Sequence, residues 1–376
     1  MTVIADGGVL DQTGPVNDAY RSGTPLPAGT IRVTAPVGVV AATSTDSGGA
    51  LIGAPGFRTT LIGDFDSDGG MNRALIQNDT AGSGRYSLGH LIQDVVLRPA
   101  PGRSLNGISL TAAFFASLKR VWLPNGFQSG IMTPWRPDIN PSLSDVYQCY
   151  GLDIEHCYVQ QCYGNGMDFG AGQSPAGLKI AYSQSIQNHG IGLRLTTGQC
   201  EIINNVFSYN GVGGIMIDTV EGPPQMGRIE MNEIQDNWGW GMSVVRSRNW
   251  RWERNRFLSQ MYSSSDWNTA HPLAQASGGT FMPSFVHVNI SGGECWNLIA
   301  ERNQHKTANG STLTTATCYG YDVGGGVLDP NFPSQFIKNE FGPQSSPGVF
   351  DGITQNSSGF RKYGGIAAPA GIIIDP

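Results

Sequence analysis

The run Gly192-Leu-Arg-Leu-Thr-Thr-Gly-Gln-Cys-Glu-Ile-Ile-Asn-Asn-Val-Phe-Ser-Tyr-Asn-Gly-Val-Gly-Gly214-Ile-Met-Ile217 carries the pattern that decides the fold. It opens and closes on one tetrapeptide: glycine, apolar, variable, apolar. The same tetrapeptide recurs as Gly107-Ile-Ser-Leu, Gly166-Met-Asp-Phe and Gly241-Met-Ser-Val. Gly130-Ile-Met-Thr and Gly320-Tyr-Asp-Val are looser copies. From Gly166 to Gly241 the copies are spaced by 26, 22 and 27 residues. Each reads as a short strand entered through a tight glycine turn. Two of its side chains point inward and one outward, because side chains alternate across a strand.

A second column keeps the same phase. Asn205, Asn232 and Asn255 follow the short strands Ile202-Ile-Asn204, Ile229-Glu-Met231 and Trp252-Glu-Arg254, with Asn303 and Asn339 as later members. An apolar anchor follows each turn, as at Phe207, Ile234, Phe257 and Phe341. Asparagine tolerates left-handed turns, and stacked amides can hydrogen-bond from coil to coil. Ser183 and Cys157 fill the equivalent places earlier in the chain. One coil therefore reads strand, asparagine turn, strand, loop, glycine, strand, loop.

Three strands in each coil of about 22–27 residues predict an all-β solenoid, the right-handed parallel β-helix. Helical solenoids are excluded because glycine and asparagine at this density break helices. The leucine-rich repeat is excluded because its leucine-asparagine consensus is missing. The expected organisation is an N-terminal arm, adaptor segment or reduced cap over residues 1–23, coils over 24–342, and an irregular C-terminal segment over 343–376. Within the last, Gly371-Ile-Ile-Ile-Asp-Pro376 is a candidate trimer-forming strand.

Composition agrees. The chain has 376 residues, of which 52 are glycine and only 14% are charged. A net charge of −6 and the lack of a basic run argue against nucleic acid as partner. Arg246 to Arg256 is interleaved with Trp250, Trp252 and Glu253 and reads as outer strand faces. No stretch approaches a membrane span, and the first residues lack a secretory pattern. Six scattered cysteines read as buried fillers rather than a disulfide framework. No cofactor motif stands out. The aspartates of Asp64-Phe-Asp66-Ser-Asp68 look calcium-like, but their spacing stops short of a full loop.

The start of the chain carries a resemblance. Asp11-Gln-Thr-Gly-Pro-Val-Asn17-Asp18, then Leu26-Pro-Ala-Gly-Thr30-Ile-Arg-Val, then Gly49 to Gly63 are similar to the opening of the pectate-lyase-like β-helix superfamily. Within it the chain resembles bacteriophage tailspike and depolymerase proteins. That family usually places a capping helix between the Asn-Asp pair and the Leu-Pro-Ala-Gly-Thr strand. Here only Ala19 to Pro25 intervenes, so something else is expected to cover the end of the tube.

The resemblance implies a virion spike, made in the host cytoplasm, that forms a homotrimer. It would bind bacterial capsular polysaccharide, exopolysaccharide or lipopolysaccharide, with an adaptor protein at the N-terminus. Cleavage of the glycan is expected, as hydrolysis ahead of elimination. The alternatives are an adhesive spike without cleavage and a free bacterial polysaccharide-degrading enzyme.

Register turns the repeat into a surface map. The outward column of the glycine-led strands reads Ser109, Met132, Asp168, Arg194, Met216, Ser243 and Asp322, with His287 expected between the last two. Thr196 and Asp218 lie one step further along. By superfamily resemblance this face is the sugar cleft. Asp168 and Asp218 are the expected carboxylate pair for hydrolysis, with Glu221 as substitute and Arg194 holding one of them ionised. For elimination, His189 or Tyr163 would take a proton and Arg194 would neutralise a uronate. Tyr163, Trp238, Trp240, Trp267, His287 and Asp322 are the expected substrate-binding side chains, since aromatic faces stack on sugar rings. Residues 258–284 interrupt the repeat and, with Asp266, Trp267 and His271, read as a lip of the cleft or a subunit contact. Glu230 and Glu253, flanked by Arg228 and Arg251, read as a structural or interface pair on successive coils, with a catalytic pair as the alternative.

Overall fold

The computed structural model describes residues 2–38, 46–67, 74–79, 87–111, 113–133, 149–170, 176–196, 199–218, 226–245, 247–260, 286–291, 295, 297–308, 318–323, 334–341, 350–355 and 372–375. It divides into two compact units, Met1–Ser185 and Ile186–Pro376. Apart from one helix, the regular structure among these residues is β, and its strands stack in parallel from coil to coil. The fold is the right-handed parallel β-helix.

The first unit opens with the helix Thr13–Ser22. The sequence reading found too few residues for a capping helix between Asn17-Asp18 and Leu26, but a helix is present because it starts earlier. The helix begins ahead of the Asn17-Asp18 pair, so that pair lies inside it. Asp11 Oδ1 accepts the Thr13 amide at 3.0 Å, and Gly23 ends the helix in a left-handed turn with φ of 68°. Val16, Ala19 and Tyr20 are buried. Asn17 Oδ1 accepts the Gly38 amide at 2.9 Å, which ties the helix to the coils. The Tyr20 ring lies where a Cβ on Gly49 would sit, and its hydroxyl hydrogen-bonds His90 Nδ1.

Behind the helix, Gly29–Val33 pairs with Thr59–Gly63, then Leu91–Pro99, then Ser117–Leu123, all in parallel. Ser117–Leu123 pairs onward with both Asp153–Glu155 and Tyr158–Gln160, because its backbone bends through the left-handed residue Arg120. Leu51, Ile92, Leu118, Ile154 and Ile180 form an inward column, register partner on register partner, all fully buried. Each such side chain contributes about 1.5–3 kcal/mol of burial.

In the second unit the inward column runs Ile202, Ile229, Trp252, Ala300, Phe336. The smallest member follows the largest, so the volumes interlock. Beside it the expected asparagine ladder is present. Asn205 Nδ2 donates to Asn232 Oδ1 at 3.0 Å, Asn232 to Asn255 at 2.9 Å, Asn255 to Asn303 at 3.0 Å and Asn303 to Asn339 at 3.0 Å. The left-handed residue of each turn is the one before the asparagine: Asn204, Met231, Arg254, Arg302 and Lys338. Ile372–Asp375 continues the stack, pairing in parallel with Ser334–Ile337 of its own chain. These four residues of the candidate trimer-forming segment are thus paired within their own chain. In the first unit Ser183 Oγ accepts the Cys157 amide at 3.0 Å, the substitution read from the sequence.

A second amide ladder escaped the sequence reading. Asn188 Nδ2 donates to Asn210 Oδ1 at 2.9 Å, and Asn210 Nδ2 to Asn237 Oδ1 at 2.9 Å. It accounts for the glycine of the tetrapeptide. A Cβ on Gly192 would come within 2.6 Å of Asn210 Nδ2, and one on Gly214 within 2.4 Å of the Gly241 carbonyl. Neither glycine has a positive φ, so close approach, not a left-handed turn, requires it.

Candidate functional site

The glycine-led strands of the second unit are Ile191–Leu195, Gly213–Asp218, Met242–Val245, Val286–Ser291, Cys318–Val323 and Phe350–Gln355. Their register aligns Arg194, Met216, Ser243, Asn289, Asp322 and Thr354 in one column. Asp218, Val245 and Ser291 form the next column along. Arg194, Met216 and Asp218 are half-buried, so this stretch of the face meets solvent. His189 lies in the turn that leads into Ile191–Leu195 and is half-buried. Burial lowers its pKa from the ordinary value, which keeps the ring neutral near pH 7.

In the first unit the corresponding column is closed. Gln77, Ser109, Met132 and Asp168 follow one another in register, and all are buried. Asp168, expected to face outward, is only 7% exposed. Its Oδ2 accepts from Asn165 Nδ2 at 2.7 Å and its Oδ1 from the Gly170 amide at 2.9 Å. Tyr163, at the turn of the same coil, is exposed. Asp168 and Tyr163 belong to the first unit; Arg194, Asp218 and His189 belong to the second.

Several expected binding residues have packing roles. Trp238 is buried, and the half-buried Trp240 ring occupies the space a Cβ on Gly213 would fill. His287 is not in the outward column. Backbone register pairs Met242 with Val288 and Ser243 with Asn289, so Asn289 holds the outward place and His287 takes that of the glycine. The sequence reading set the frame two residues early, with Phe285 in the glycine position. The correct frame, His287-Val-Asn-Ile, keeps both apolar residues where the repeat needs them. His287 is buried, stacked on Phe257 with centroids 6.1 Å apart and on His305 at 5.4 Å. Glu221, Asp266, Trp267 and His271 lie outside the described residues.

The calcium-like aspartates that are described hold arginines. Asp64 takes Arg32 and, at 2.8 Å, Arg103, while Asp66 takes Arg103 at 2.8 Å. Hydrogen bonds from Arg103 and Arg32 hold the Asp64 carboxyl below the usual carboxylate range. The described cysteines Cys149, Cys157, Cys162, Cys200 and Cys295 are buried thiols, and burial pushes Cys157 up to about 12.

Glu230, Glu253 and Glu301 stack in register. Arg251 reaches Glu253 at 2.9 Å and Glu301 at 2.7 Å, and Arg254 reaches Glu253 at 3.0 Å and Glu230 at 3.5 Å. The carboxylates lie beneath and the guanidiniums outside, so stacked like charges are separated by arginine. Replacing Arg254 with Ala is expected to lower unfolding stability by about 1–2 kcal/mol, read by urea denaturation. The half-exposed guanidinium limits the effect.

No family model matches the sequence, and no curated protein matches it. Solved structures match the fold. The A-module of Azotobacter vinelandii mannuronan C-5 epimerase AlgE4 superposes with a TM-score of 0.57 at 16% identity, over 95% of this chain and 98% of that one. The Agl-KA catalytic domain gives 0.60 at 13%, over 99% of this chain and 66% of that one. The catalytic domain of a GH87 α-1,3-glucanase gives 0.52 at 10%, over 94% and 63%. The fold they share with this chain is the parallel β-helix.

Proposed function

We propose that this chain is a spike of a bacteriophage or phage-like particle that binds and depolymerises a bacterial surface polysaccharide. The observation that carries the reading is the solvent-facing stretch around Arg194 and Asp218, with a neutral His189 in the turn beside it. A carboxylate can serve hydrolysis when a second carboxyl group acts with it, and a neutral base beside a cation suits elimination. Two fold neighbours bear names of polysaccharide-acting proteins, a mannuronan epimerase and an α-1,3-glucanase, which supports the substrate class. Asp218 and Asp168 are the carboxylate candidates for hydrolysis, and each is tested by its own substitution. The virion location, the homotrimer and an adaptor at the N-terminus, where Ile4, Val9 and Leu10 are exposed, belong to the same proposal.

The test is incubation with capsular and lipopolysaccharide fractions, following reducing ends and the absorbance of unsaturated uronates together. New reducing ends without absorbance are expected. Asp218→Asn is expected to lower the rate by about 10²–10⁴-fold with the fold retained. Absorbance would identify elimination and transfer the expected loss to His189→Ala and Arg194→Ala. An adhesive spike without cleavage is the second reading, favoured by the enclosure of Asp168 with both oxygens already hydrogen-bonded. Binding with neither signal would establish it and end the enzyme reading.

A further inference from the structure

On another side of the first unit, Asp46–Ser47, Ser87–Leu88 and Ala113–Phe114 form a small parallel sheet, continued by bridges from Phe114 to Tyr150 and from Tyr150 to Ala176. Beside it runs a column of left-handed residues: Gly89 (φ 73°), Phe115 (58°), Gly151 (66°) and Gly177 (70°). Backbone hydrogen bonds tie them from coil to coil. The Phe115 amide donates to the Tyr150 carbonyl at 2.6 Å, and the Gly151 amide to the Ala176 carbonyl at 2.8 Å. Glycine occupies three of the four places at no steric cost. A bulky residue held there is strained.

Phe115 does not offset that strain by burial, for it is 62% exposed. Its ring lies across Gly151, where a Cβ would come within 2.8 Å of Phe115 Cδ1. Tyr150, 45% exposed, stacks on Phe114 with centroids 6.1 Å apart and 13° between planes. The result is an aromatic shelf with glycines as its floor.

Two residues further along the chain, past the left-handed turn, the strands Ser117–Leu123 and Asp153–Glu155 begin with polar side chains. Ser117, Asp153 and Lys179 stand in register on successive coils. Ser117 Oγ and Asp153 Oδ1 are buried and have no hydrogen-bond partner among the described residues. Burial, then the charge of Glu155, raises the Asp153 carboxyl above its ordinary value. Rotation about the soft terminal torsion of Asp153 can turn that oxygen toward a donor. Lys179 Nζ sits 2.9 Å from Glu155 Oε1.

We propose that this shelf is a sugar-binding site, separate from the glycine-led face and sharing none of its residues. A pyranose ring has the two surfaces that the site asks for. Its C–H face stacks on Phe115 and Tyr150, and its hydroxyls donate to the Asp153 carboxylate. A nucleic-acid backbone is disfavoured by Asp153 and Glu155. The inference takes its ligand class from the polysaccharide reading, but its residues are tested independently.

The test is affinity electrophoresis through gels containing capsular polysaccharide, O-polysaccharide, mannuronan or α-1,3-glucan. Phe115→Gly keeps the fold, because glycine adopts this φ freely, while removing the ring. Phe115→Gly and Tyr150→Ala are each expected to weaken retention at least tenfold, with unchanged far-ultraviolet circular dichroism and unchanged cleavage of short oligosaccharides. If both variants are retained like the wild type, the shelf is not a sugar site, and the glycine-led face keeps its own reading. If the wild type is retained by no gel, both readings fail. If Phe115→Gly instead converts a dimer to a monomer with retention unchanged, the shelf is a contact between copies and the proposal is overturned.

Discussion

Asn255→Ala is expected to destabilise the second unit by about 3–5 kcal/mol, more than any surface substitution in the chain. The amide sits in the middle of the ladder and is fully buried. Its Oδ1 accepts the Asn232 amide at 3.0 Å, and its Nδ2 donates to the Ile229 carbonyl at 2.9 Å. Truncation leaves both of those backbone groups without that partner in a place water does not reach, and each costs about 1–3 kcal/mol. A cavity adds to the loss. Urea denaturation measures the total, and hydrogen exchange at the Asn232 amide localises it. A loss under about 1 kcal/mol would mean that the coils hold register by packing alone.

Acid is expected to weaken the same unit through its interior histidines. His287 Nδ1 and His305 Nδ1 lie 3.3 Å apart, with the His305 ring 4.9 Å from Phe257 and edge-on to Tyr321 at 4.6 Å. Burial lowers His287 to about 3 from an ordinary 6.5, and it lowers His305 in the same direction. Between those values the unfolded chain takes up protons that the folded chain does not. Stability is therefore full above pH 6.5 and falls as pH drops toward about 3. The loss is on the order of several kcal/mol. His287→Leu should flatten the profile between pH 7 and pH 4, followed by the fluorescence of Trp250 and Trp252. An unchanged slope would assign the acid sensitivity to groups elsewhere.

The coils were legible because their signals are local. A glycine that no Cβ can replace and an asparagine at each turn repeat in phase, and the strands between them alternate. The ladder from Asn205 to Asn339 could be named from sequence because each member follows a strand and precedes an apolar anchor. The second ladder was hidden because Asn188 and Asn237 sit among histidine and tryptophan residues that read as a binding loop. The helix Thr13–Ser22 was missed because it starts within the motif taken to precede any helix. His287 was misplaced by two residues, since a histidine stands where every neighbouring coil has glycine.

The candidate site was less legible, for a physical reason. Sequence gives the register of a strand but not what lies over it. Asp168 and Arg194 hold equivalent tetrapeptide positions, yet the first is enclosed and hydrogen-bonded while the second is half-buried. The partners that enclose Asp168, Asn165 and the Gly170 amide, flank it in its own coil and do not recur around Arg194 as a repeat motif.

Successive ladder asparagines are separated in the chain by 27, 23, 48 and 36 residues, yet their amides meet at nearly the same distance. Chain length between two of these fixed points is thus uncoupled from the spacing of the points themselves. A lineage carrying such a fold can lengthen, trade or discard the material between coils while the amides stay joined.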